Sequence, residues 1–125
     1  MHPEKVKQVA GLPSAERYGY FVRQAADTQQ VWGLYQAGWA TAQVDGRVAI
    51  PFWPEAAFAQ ACASGDWAGY QPRPIALGDF LQKWLPGMRG NGELAFVFAV
   101  PQGSASVAAP YDLLADLQQE AEAYE

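Results

Sequence analysis

At 125 residues, half of them hydrophobic, the chain has the length of one domain and enough apolar material to bury a core without staples. Its formal charge of −5 is unevenly spread: residues 1–50 carry five basic and four acidic side chains, residues 51–100 three and four, and residues 101–125 none and five. Without a Lys/Arg cluster the chain lacks the attraction that drives nucleic-acid binding and is repelled by an anionic membrane surface, and its single cysteine, Cys62, excludes an intramolecular disulfide.

The longest apolar run, Leu94 to Val100, falls far short of the roughly 18 residues that suggest a spanning helix. Met1 to Val6 carries charges where a secretory signal needs an apolar stretch, so a reducing, cytoplasmic setting is expected.

In chain order, a short helix is predicted over Pro3 to Ala10, closed by Gly11 and Pro13. Ser14 is then placed as the N-cap of a longer helix whose buried stripe is Ala15, Tyr18, Phe21, Val22 and Ala25, with Glu16, Arg17, Arg23 and Gln24 off it. Val31–Tyr35, Trp39–Val44 and Arg47–Phe52 read as three strands of an antiparallel meander, the last two joined at Asp45-Gly46, a strong two-residue hairpin signal. Val48, Ile50 and Phe52 share one face of the third strand, and Pro51, which cannot donate to a ladder, is expected near a strand end or on a sheet edge.

Pro54 suits the first turn of a helix running to Ala63, stopped by Gly65. Gln71-Pro72-Arg73-Pro74 must be extended, because a residue preceding proline is driven out of the α region, and Ile75 to Leu77 continues it. A short helix over Asp79–Leu85, with Asp79 and Lys83 paired four apart, is expected to stop at Pro86-Gly87, leaving Gly87 to Gly92 as a flexible connector.

Glu93–Val100 is apolar on both faces, bulky at Leu94, Phe96, Phe98 and Val100 and shallow at Ala95, Val97 and Ala99, which predicts a central strand. After Pro101-Gln102-Gly103, Ser104–Ala108 returns as its hairpin partner. Pro110 opens a last helix with the stripe Leu113, Leu114, Leu117, Ala121 and Tyr124 beside an acidic row of Asp112, Asp116 and Glu120. The resulting fold class is α+β: one domain over residues 1–125, a mixed or mainly antiparallel sheet formed by the meander and the central strand, and helices at both ends packed on it.

No reaction chemistry is legible. His2 is the only histidine and has no second ligand or nucleophile near it, so neither a metal nor a cofactor is expected. Cys62 shares a helix face with Phe58 and has no cationic neighbour in sequence, the pattern of a small buried hydrophobe. Gly87 to Gly92 lacks the Lys-Ser/Thr ending of a phosphate loop. The acidic row reads as a solvated helix edge that, beside Tyr111 and Tyr124, offers a modest surface for a basic partner.

Among polar residues Arg73 stands out, stiffened between Pro72 and Pro74 and close in sequence to Asp66, Trp67 and Tyr70. Arginine with aromatics is the composition enriched in binding hot spots, and the prolines lower the entropic cost of presenting it. The structural alternative is that Arg73 pairs with Asp66 or stacks on Trp67 and fastens its segment to the body.

Glu16-Arg17-Tyr18 with Tyr20-Phe21, Trp53-Pro54, Gly65-Asp66-Trp67 and the phrase from Phe80 through Trp84-Leu85-Pro86-Gly87-Met88 together resemble the small bacterial proteins grouped as domain of unknown function 2750. The resemblance covers nearly the whole chain and is most specific at Trp84-Leu85-Pro86-Gly87-Met88. It implies a stand-alone, single-domain α+β protein of bacteria and supplies no activity, cofactor or catalytic residue. The chain departs from the family at Gly78, where a better helix starter is expected before Asp79.

Two function classes follow. One is a non-catalytic interaction module of adaptor or immunity type, binding a protein partner through Asp66, Trp67, Tyr70 and Arg73 or through the acidic last helix. The alternative is a small-molecule binder or minor enzyme with a pocket lined by Trp32, Trp39 and Trp53 and served by Arg47 or Arg73. The lack of a histidine pair, metal ligands or an activated nucleophile weighs against catalysis, although Asp, Glu, Lys and Tyr can do acid–base work without a signature.

Overall fold

A computed structural model of the chain describes residues 3–101 and 103–123. His2, Tyr124 and the Gln102 position of the predicted turn lie outside the described residues. The elements run α1 (Pro3–Ala10), α2 (Ser14–Thr28), β1 (Gln30–Tyr35), β2 (Ala42–Val44), β3 (Arg47–Phe52), α3 (Ala56–Ala61), β4 (Gln71–Ala76), α4 (Leu77–Asp79), α5 (Leu85–Asn91), β5 (Leu94–Val97), β6 (Ser106–Ala108) and α6 (Pro110–Glu122). This is an α+β fold, with helices packed on two small sheets.

The first helix ends as predicted, but Pro13 rather than Ser14 takes the cap position of α2, its carbonyl accepting the Arg17 N–H at 2.9 Å. Phe21, Val22, Ala25 and Ala26 form the buried face, while Ala15 is exposed.

The three-stranded meander is corrected. β2 and β3 form the predicted hairpin about Asp45 and Gly46, both at positive φ, but β1 leaves them to pair with β4 in a separate two-stranded antiparallel sheet, from Gln30↔Ala76 to Tyr35↔Gln71. One bridge holds the sheets together: Trp32 and Trp53 exchange reciprocal backbone hydrogen bonds of 2.8 Å. The reason is non-local. Residues 71–76 supply an extended run long enough for all six β1 residues, whereas β2 is only three residues long.

The larger sheet has the order β2-β3-β5-β6, with β3 and β5 parallel and both other pairs antiparallel. β5 is therefore internal, as its two apolar faces predict, but it stops at Val97 because Phe98 takes φ 58°. Its shallow face, Ala95 and Val97, is fully buried; Leu94 and Phe96 are half-covered. Pro51 sits near the end of β3, beyond the reach of β2, whose pairing stops at Ala42↔Ala49.

Two helix boundaries also differ from expectation. α3 begins at Ala56, leaving Pro54 buried ahead of it, and it ends at Ala61 with Cys62 as cap; Gly65 opens a 3-10 turn to Trp67. Pro86-Gly87 does not stop the next helix, which runs continuously over residues 77–91. Phe80–Trp84 form a π-helical segment in which Leu85 N–H reaches Phe80 O, five residues back, and Pro86 then falls in the first turn of α5. The stretch read as a connector is thus helix through Asn91, ended by Gly92 at φ 70°. Asp79 and Lys83 pair at 3.6 Å on its exposed face.

The core joins Phe21 of α2, Val31 and Leu34 of β1, Phe52 and Trp53, Phe80, Leu85, Phe98, and Leu113 and Leu117 of α6. Phe52 meets Phe80 edge-on at 4.7 Å and Phe58 lies 4.7 Å from Phe98. Such aromatic pairs each add about 1 kcal/mol beyond their burial.

Candidate functional site

The two-stranded sheet builds the platform on which Arg73 stands. Antiparallel register places Gly33 opposite Arg73. Because Gly33 has no side chain, the Trp39 indole lies directly on its backbone: a Cβ there would fall 2.9 Å from two ring carbons. Tyr35 packs edge-on against Trp39 at 5.1 Å, and Trp39 against Trp84 at 4.8 Å. Trp84, carried on the π-helical segment, continues to the buried Phe52 at 5.8 Å. An unbroken row of rings therefore runs from the core to the surface. The Arg73 guanidinium closes it, 4.3 Å from the Tyr35 ring centre and 5.8 Å from that of Trp39.

Arg73 is exposed and makes no ion pair among the described residues. Its strand is also closed to pairing on the outer side. Leu77 N–H bonds Gln29 O, so the alternating N–H groups of Ile75, Arg73 and Gln71 face β1 and those at 72, 74 and 76 face away. Pro72 and Pro74 occupy two of the three outward positions and have no N–H to offer. What β4 presents is a side chain, not a strand edge.

The other predicted site residues lie close by in part. Trp67 is half-buried, its ring 5.9 Å from Trp53 at 88° and its Nε1 donating to Thr41 O at 3.1 Å. Gly69, at φ 86°, abuts the Gln36 side chain. The loop of residues 36–41 thus touches the Trp67–Gly69 segment and also carries Trp39. Tyr70 is half-buried against the core, and Asp66 is exposed with no hydrogen bond or ion pair among the described residues. Arg73 accordingly neither pairs with Asp66 nor stacks on Trp67; its partner is Tyr35, brought to it by strand register.

The residues of the alternative pocket are dispersed. Trp53 is fully buried with its Nε1 donating to Ala99 O at 2.8 Å, Trp39 covers Gly33, and Trp32 lines an open groove with Lys5, Gln30, Pro54 and Glu55 that neither of the others reaches. Arg47 is exposed and donates to Gly92 O at 3.0 Å. The acidic row of α6 is only partly free, because Asp116 accepts a hydrogen bond from Tyr18, and Arg89 lies 4.3 Å over the ring of Tyr111. The Cys62 thiol donates to Ala99 O, and burial pushes its pKa up, so it is held unreactive.

One residue placed off the helix stripe is in fact buried. Arg17 is 5% exposed and donates from Nε to Phe98 O at 3.2 Å, from Nη1 to Leu12 O and from Nη2 to Ser104 O. Burial lowers its pKa, but from so high a value that it stays charged. The signal was present: positions 17, 21 and 25 recur at spacing four on the buried face.

The chain is an α+β fold with a surface arginine stacked on an aromatic row, and no helix among the described residues is long and apolar enough to cross a bilayer. The sequence matches the family described as "Protein of unknown function (DUF2750)" over residues 18–117, and the chain belongs to that family. No curated protein matches it.

Proposed function

We propose that this protein is a non-catalytic protein-interaction module, of adaptor or immunity type, and that Arg73 is its anchor. The observation that carries the reading is the exposed guanidinium of Arg73, without an ion pair among the described residues, stacked on Tyr35 and backed by Trp39. Stacking and the flanking prolines hold the fork in place before any partner arrives, so little ordering entropy is lost on binding. Its N–H groups match a carboxylate of the partner bidentately. Trp67 and Tyr70, half-exposed on the adjoining segment, extend the contact, and Asp66 supplies a rim charge.

Affinity capture from the source cell tests this. A stoichiometric protein retained by the tagged wild type and lost with Arg73→Ala supports the module; a retained metabolite with no protein, or capture indifferent to Arg73, removes it.

A further inference from the structure

A charge inside a protein needs compensation, and Arg17 receives it only in part. Its three acceptors are main-chain carbonyls, and no carboxylate among the described residues is within ion-pair distance. Carbonyl dipoles satisfy hydrogen bonding without supplying a counter-charge. A guanidinium has five N–H donors, so three bonds leave one donor on each terminal nitrogen.

The space beside that guanidinium is built to match. An open groove of about 740 Å³ between the end of α1 and the segment following β5 is lined by Arg17, Lys7, Leu12, Val100, Pro101 and Gly103, among others, with two cations and no acid among the described residues. Gly103 lies against the terminal nitrogens: a Cβ there would sit 3.7 Å from Nη2 and 3.9 Å from Nη1, and would strike Val100 Cγ2 at 2.7 Å. Phe98, at φ 58°, is a bulky residue in a region such side chains avoid, and its carbonyl accepts from Arg17 Nε.

We propose that this groove binds a small oxyanion, a phosphate or carboxylate group held by the two remaining N–H groups of Arg17 with Lys7 as the second positive charge. The site is separate from the Arg73 platform and does not depend on it.

Calorimetric titration of the full chain with sodium phosphate and, separately, sodium acetate, at ionic strength fixed with sodium chloride, tests the proposal. Saturable one-to-one binding of at least one anion is expected; phosphate alone assigns a phosphate group, and acetate, alone or with phosphate, assigns a carboxylate. Lys7→Gln, on an exposed face of α1, weakens the binding about fivefold. Gly103→Ala, checked for folding by circular dichroism, weakens it further by covering the fork. No saturable heat with either anion, or an affinity unchanged in Lys7→Gln, overturns the proposal.

Discussion

Arg17 Nε donates to the carbonyl of Phe98 across 81 positions of sequence, tying the first long helix to the point where the central strand ends. The same side chain holds Leu12 and Ser104, so one residue fastens three separate segments. Arg17→Met keeps most of the apolar stem and removes all three bonds. Urea unfolding of this variant is expected to show a loss of about 3 kcal/mol, from carbonyls left without donors.

Gly33 is required for close approach, not for its backbone angles. Gly33→Ala drives a methyl into the Trp39 ring, which is held between Tyr35 and Trp84 and has little room to retreat. A destabilisation of about 2 kcal/mol and a shift in tryptophan emission are expected from denaturation followed by fluorescence.

Ala37 makes the opposite case. It is exposed at φ 55°, a left-handed conformation that disfavours any Cβ. Ala37→Gly is therefore expected to raise the unfolding free energy by about 0.5 kcal/mol, the relief of strain outweighing the added chain entropy of glycine.

Alkaline pH acts through tyrosine. Burial, with Glu55 beside it, pushes the Tyr20 pKa up to about 12, and burial with Asp116 raises that of Tyr18. Both groups keep their proton longer in the folded state than in the unfolded chain, so their contribution is complete below about pH 10 and is lost as pH climbs toward 12. Stability measured by urea midpoints should fall over that window. Tyr20→Phe should flatten part of the fall and cost about 1 kcal/mol at neutral pH through loss of the 3.2 Å bond to Glu55.

Much of this fold was readable from local signals. Prolines fixed residues 71–74 as extended, Asp45-Gly46 marked the hairpin, and periodicity located α2 and α6. What escaped was decided at a distance. The partner of β1 lies some forty residues on and is chosen by the length of matching extended chain, not by any property of residues 30–35. Pro86 reads as a stop unless the preceding turn widens, and that widening serves the packing of Trp84 on Trp39 and Phe52. Likewise the stiffness of Arg73 was legible between its prolines, but its stacking partner was not, since only the β1–β4 register brings Tyr35 beneath it.

Binding by the stacked arginine is the claim on which the functional account stands, and the affinity of the purified protein for its captured partner measures it most directly. Arg73→Ala should raise the Kd about 30-fold, while Asp112→Asn on the last helix leaves it unchanged. An equal Kd for wild type and Arg73→Ala, with the variant folded, would contradict the account.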